Sequence, residues 1–175
     1  MSIVLQSSGG GSVTLQEAVT ASNLTITVPA ATATMAINGP AFSVWSSINQ
    51  SPLTSATATK VQLNNEEFDT ANCFDSTTNY RFTPNVAGYY QVNGAVVMTG
   101  SSVTRLFCSV YKNGSEYKRG SDLTVTGYQP TVSTLVYLNG STDYIELYCW
   151  INGTGLATSS SEREIWFNGA MVRAA

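Results

Sequence analysis

The chain has 175 residues, 11% of them charged and 43% hydrophobic, with a formal net charge of −3 and no histidine. Ordinary soluble domains carry about 25% charged residues; here Ser, Thr, Asn and Gly take their place, the texture of an all-β protein whose faces are covered by neighbours. The eight Lys and Arg residues form no basic stripe, which excludes an electrostatic footprint for nucleic acid.

Enzyme classes are excluded on similar grounds. Without histidine the usual general base, triad member and commonest zinc ligand are missing together. The sequence has no GxxxxGK[ST] phosphate loop and no GxGxxG after a strand, so no nucleotide cofactor is expected. Cys73, Cys108 and Cys149 are an odd count without CxxC spacing, which is neither a disulfide framework nor a metal site. No run approaches the ~20 apolar residues of a helical membrane span. "MSIVLQSSGGG" lacks the basic and apolar regions of a signal peptide, so synthesis in a cytoplasm is expected.

Taken in chain order, residues 1–40 differ in texture from the rest. Gly9, Gly10 and Gly11 read as a flexible joint. Val13 and Leu15 alternate with polar residues, as do Leu24, Ile26 and Val28 before Pro29. Two such segments cannot bury a core; they suit an arm that pairs with other chains. Residues 41–175 read as a head of ten strands: 41–46, 59–64, 72–75, 79–83, 88–98, 104–112, 115–121, 129–137, 144–151 and 164–173. Asn113-Gly114, Asn139-Gly140 and Asn152-Gly153 are hairpin-turn signals, because tight turns need positive φ. Regular strand spacing without helical periodicity argues a sandwich or jelly roll.

Alternation sorts the faces. Leu106, Cys108 and Val110 share one face, as do Ile145, Leu147, Cys149 and Ile151, and Ile165, Phe167, Gly169 and Met171. These sets are the expected core, with both strand cysteines acting as small buried hydrophobes. The opposite faces carry Tyr144, Tyr148, Trp150, Trp166 and Val172, and the adjacent Tyr89 and Tyr90 point one to each side. An isolated monomer rarely exposes that much aromatic surface, so a homo-oligomer is expected.

Five weak motifs then fall in one order. "YRFTPNVAGYYQV" at 80–92 resembles the central signature of the globular head of complement component 1q and its tumour-necrosis-factor-like relatives: an aromatic, a Pro, a short loop, then Gly and two aromatics. "AFSVW" resembles the first strand of that family, "LFCSVYKNG" its central hairpin, and "VYLNGSTDYIELYCW" with "IWFNGAMV" its closing strands. The resemblance spans 41–175 and implies an all-β, ten-stranded jelly-roll sandwich, preceded by a short β arm and assembling as a trimer. Pro84 then ends strand pairing, Gly88 lets the chain turn, and Tyr89 and Tyr90 open a strand used on both faces. Tyr89, Tyr90, Tyr148, Trp150 and Trp166 are the candidate trimer contacts.

"GGSVTLQEAVTASNLTITVPAATATMAI" resembles segments of bacteriophage tail-fibre and other virion proteins. The collagen repeat of the animal family is absent, so only head shape and threefold assembly carry over. The resemblance implies a virion structural protein, anchored to other virion proteins through residues 1–40. It would be a short tail fibre or adhesin meeting a host glycan or protein, or a capsid decoration protein; a secreted cellular binding module is the remaining alternative. Glu66, Glu67, Asp69 and Asp75 in "NNEEFDTANCFD" are weak calcium candidates, lacking the EF-hand order, and a solvated loop is the plainer reading. The loops 47–58, 99–103, 120–128 and 152–163 are polar recognition candidates.

Overall fold

The computed structural model describes residues 2–6, 8–16, 39–124 and 129–175. The predicted segment Leu24 to Val28 and the loop residue Tyr128 lie outside them. The chain divides into two compact units, 1–33 and 34–175.

The first unit contains a hairpin. Strands β1 (Ser2–Gln6) and β2 (Ser12–Gln16) pair antiparallel from Ser2 opposite Gln16 to Gln6 opposite Ser12. The glycines expected to form a loose joint instead make the turn of this hairpin, with Gly10 at φ 86°, a conformation that costs glycine little.

The second unit is the head. Its strands are β3 (Ala41–Trp45), β4 (Thr59–Lys60), β5 (Asn65–Asp69), β6 (Phe74–Asp75), β7 (Arg81–Phe82), β8 (Gly88–Val96), β9 (Met98–Lys112), β10 (Ser115–Leu123), β11 (Thr131–Leu138), β12 (Ile145–Thr158) and β13 (Ile165–Ala174). Two antiparallel sheets result. One runs β10-β9-β12-β7-β6, with β4 also on β12; the other runs β11-β8-β13-β3-β5. Their facing sides form one core. It includes Leu106, Cys108, Val110, Ile145, Leu147, Cys149, Ile151, Ile165 and Phe167, all predicted, and holds Met171 against its edge. Phe42 anchors its centre, 4.3 Å from the Phe82 ring, 5.5 Å from Phe74 and 5.2 Å from Phe167.

Three departures from the predicted strands have physical causes. The acidic stretch expected to be a loop contains β5, an edge strand paired, among the described residues, only to β3. Its Glu66 and Glu67 are exposed, so no alternation betrays it, and charge on an edge discourages pairing with other chains. The expected loops 99–103 and 152–163 lie largely within β9 and β12, which stay paired out to Met98 opposite Thr158 through two irregularities. Asn152-Gly153 is therefore inside a strand, whereas Asn113-Gly114 is a tight turn with φ of 51° and 79°.

The puzzling stretch 81–92 is explained by close packing. Pro84 is buried, and the Tyr90 hydroxyl donates to the Val86 carbonyl at 2.7 Å, closing the short loop over its own strand. Gly88 does not make the turn: it sits in β8, where a side chain would meet the Arg173 carbonyl at 2.5 Å and the Met171 sulfur at 3.0 Å. Its role is to let β8 and the end of β13 approach. Gly88→Ala is expected to destabilise the head by about 1–3 kcal/mol, the usual cost of overpacking, read as a lower urea midpoint with unchanged slope. An unchanged midpoint would show that these strand ends are not packed as described.

Candidate functional site

The outer face of the five-stranded sheet is the most unusual surface of the head. Paired residues share a face, so the register defines it row by row. Thr131, Ala95, Trp166 and Trp45 make one row, and Ser133, Asn93, Asn168 and Ser43 the next. Leu135, Gln91, Ala170 and Ala41 follow, then Tyr137 and Tyr89. Arg173 pairs with Tyr89 at the end of the last row, and Ser43 donates to the Glu67 carboxylate at 2.6 Å; the other side chains of these rows carry no charge. Tyr89, Tyr137 and Leu135 are 40%, 42% and 49% exposed, and the two tyrosine rings lie 5.4 Å apart. Phe68 on β5 and Val172 on β13 add further exposed apolar surface.

The outer face of the six-stranded sheet covers itself. The Phe107 and Trp150 rings stack at 5.1 Å, and those of Tyr111 and Tyr148 at 3.9 Å. The Arg119 and Arg105 guanidiniums lie 4.0 and 5.1 Å from the Phe107 ring centre. Arg119 also binds Glu116 at 2.8 Å, and Arg105 binds Asp122 at 2.5 Å. The guanidinium hydrogen bonds hold both carboxyls below their usual range. Buried Glu146 is neutralised by Lys60 at 2.5 Å, which removes the cost of an unpaired interior charge. Ring faces and charges here are satisfied within the chain.

The five candidate contact residues are thereby separated. Tyr89 and Trp166 lie on the outer face of the five-stranded sheet. Tyr148 and Trp150 lie on the opposite sheet, half-buried in their stacks. Tyr90 is fully buried, edge-on to Phe82 at 5.6 Å, so it belongs to the core and offers no surface; this corrects its expected role. Leu135 and Tyr137 were not singled out from the sequence, although the alternation in "TVSTLVYL" places both on one side. Asn93 and Asn168 also escaped, because amides in the middle of strands give no hydrophobic signal.

The acidic candidates are not gathered around one point. Among the described residues no three His, Cys, Asp or Glu side chains are placed to hold a metal ion. Glu67 accepts the Ser43 hydroxyl at 2.6 Å, and Asp69 accepts the Phe74 and Ala71 amides at 2.6 and 3.2 Å. Asp75 ties its own turn: it accepts the backbone N–H groups of Thr78, Thr77 and Asn79 at 2.9, 3.1 and 3.1 Å and the Asn79 side-chain amide at 2.7 Å. These donors, led by Thr78, hold its carboxyl well below the ordinary range. A depressed native pKa adds stability above the unfolded value, near 4, and that stability is lost as pH falls through the native one. Asp75→Asn is therefore expected to melt lower than the parent at pH 7 and to lose less on acidification to pH 3. Parallel pH profiles for the two would contradict this role.

No family model matches the chain, and no curated protein does. Its structure is similar to that of murine APRIL at pH 5.0, with a TM-score of 0.58 at 11% identity, over 77% of this chain and 100% of that one. It is also similar to the globular domain of zebrafish complement 1qA protein, with a TM-score of 0.53 at 16% identity, over 79% and 100%. At such identities the likeness is one of fold, and it agrees with the resemblance carried by the 80–92 stretch: the head is an all-β jelly-roll sandwich of the complement-1q and tumour-necrosis-factor-like type.

Proposed function

We propose that the chain is a trimeric, non-enzymatic structural protein of a bacteriophage particle. Residues 1–40 attach it to other virion proteins, and the jelly-roll head projects as a short tail fibre or adhesin that meets a glycan or protein of the host surface. The observation that carries the assembly is the aromatic outer face of the five-stranded sheet, poor in charge, with Tyr89, Leu135 and Tyr137 each at least 40% exposed. Apolar patches of this kind on soluble domains mark contacts, and depletion of charge with enrichment of Tyr and Trp is the compositional signature of a contact's centre. The attachment role is supported by the resemblance of the N-terminal segment to virion proteins and by the compactness of residues 1–33 as a unit of its own. That unit presents a two-stranded hairpin, whose edges pair with no further strand among the described residues and can add to a neighbouring sheet. No helix among the described residues is long and apolar enough to cross a membrane.

Deleting residues 1–40 is expected to leave a soluble trimeric head that no longer joins particles, measured by co-sedimentation with virions. Incorporation of the truncated chain at parental levels would contradict the attachment role. Binding of the head to host cells without loss of capsid stability on deletion of the gene product supports the fibre position; capsids that burst earlier without it, and no cell binding, would place it on the shell as a decoration protein.

A further inference from the structure

Two of the three cysteines face each other across the middle of the six-stranded sheet. Cys108 on β9 and Cys149 on β12 are direct partners in the register, free thiols that lie in the core at 0% and 1% exposure. The ladder settles which kind of pair they form. The Asn113 N–H donates to the Tyr144 carbonyl at 3.1 Å, one pair beyond Lys112 and Ile145. On the other side of β12 the Val61 N–H donates to the Leu147 carbonyl at 2.9 Å. Hydrogen-bonded and non-hydrogen-bonded pairs alternate in an antiparallel ladder, and the register is unbroken from Lys112 opposite Ile145 to Arg105 opposite Asn152. Tyr148 and Trp150 therefore turn their backbone groups toward β9, and Leu147 and Cys149 turn theirs away from it. Cys108 and Cys149 are thus a non-hydrogen-bonded pair, the kind whose Cα atoms stand about 4.5 Å apart. That lies within the roughly 4.4–6.8 Å that a disulfide spans. Cys73 is set apart: it precedes β6, which β7 separates from β12, and its thiol donates to the Ala71 carbonyl at 3.4 Å.

We infer that Cys108 and Cys149 are the site of a disulfide that closes across β9 and β12 when the chain folds in oxidising surroundings. The odd cysteine count argues against a framework of bridges, not against this one. A small-molecule disulfide is the oxidant. One protein thiolate attacks it, displaces one small thiol and leaves a mixed disulfide. The second protein thiolate attacks the protein sulfur of that adduct and releases the other small thiol. Two protein thiols lose two electrons and two protons, and the oxidant leaves as two thiols. Burial pushes both cysteines up to about 12, and the nearness of Cys149 acts on Cys108 in the same direction. The attacking species is the thiolate, so the packed head reacts slowly and closure accompanies the pairing of β9 with β12. In a reducing cytoplasm the pair stays as thiols. The bridge encloses the segment that carries β10 and β11 and so restricts the unfolded chain. The Cys108 thiol gives up its hydrogen bond to the Pro130 carbonyl, a contact of 3.2 Å.

The full chain, reduced in denaturant and refolded in a buffer of oxidised and reduced glutathione, tests this. Peptide mass spectrometry is expected to show Cys108 joined to Cys149, with the loss of two hydrogen atoms, and Cys73 outside the bridge. The bridged chain is expected to keep the circular dichroism of the reduced one and to unfold at a higher urea concentration, an advantage that a reductant erases. Cys149→Ala, which keeps the position apolar, is expected to show neither the bridge nor any response of its urea midpoint to reductant. A folded fraction without the bridge, a bridge through Cys73, or a bridged chain that unfolds earlier than the reduced one would overturn the inference. The same response to reductant in Cys149→Ala would overturn it too. None of these outcomes depends on the number of subunits or on the virion role proposed above.

Discussion

A two-layer sandwich covers one face of each sheet and leaves the other to be dealt with separately. In this chain that constraint falls hard, because so few residues are charged that ordinary solvated outer faces cannot be built on both sides. The two outer faces meet it in opposite ways. On the six-stranded sheet, aromatic rings stack face to face, Arg105 and Arg119 lie over Phe107, and Glu116 and Asp122 neutralise them. The five-stranded sheet has no such cover. Its Tyr89, Leu135 and Tyr137 stay exposed, and the proposed assembly would remove them from water.

The inner layer explains how the two faces come to differ. Adjacent tyrosines at the start of β8 divide by strand alternation, Tyr90 going to the core and Tyr89 to the surface. Tyr90 can be buried because its hydroxyl finds the Val86 carbonyl, and the bond folds the Pro84 loop back onto the strand. Gly88 allows β13 to lie close, which sets Trp166 and Asn168 beside Ala95 and Asn93. The outer face of the five-stranded sheet is thus positioned by the same packing that closes the core.

Much of this was legible in the residues. The core sets on β9, β12 and β13 follow from alternation alone, and the order of short motifs around "RFTPNVAGYYQV" pointed to the jelly roll. What stayed hidden has physical reasons. The edge strand β5 carries no apolar alternation, since an edge needs partners on one side only. Asn152-Gly153 reads as a turn but continues a strand, because pairing with β9 extends past it. Tyr148, Trp150 and Trp166 look equivalent in sequence, each backing a core strand. Only the cross-strand neighbours distinguish them: Tyr111 and Phe107 stack on the first two, whereas Trp166 lies beside Ala95 and Trp45 with no ring stacked on it among the described residues.

The most direct test is sedimentation velocity of the full chain, diluted from tens of micromolar to the nanomolar range. If the outer face of the five-stranded sheet is a subunit contact, a single species of three times 18.6 kDa should persist into the sub-micromolar range and dissociate only below it. A folded 18.6 kDa monomer throughout, with its β-sheet signal intact and no association at the highest concentration, would contradict it.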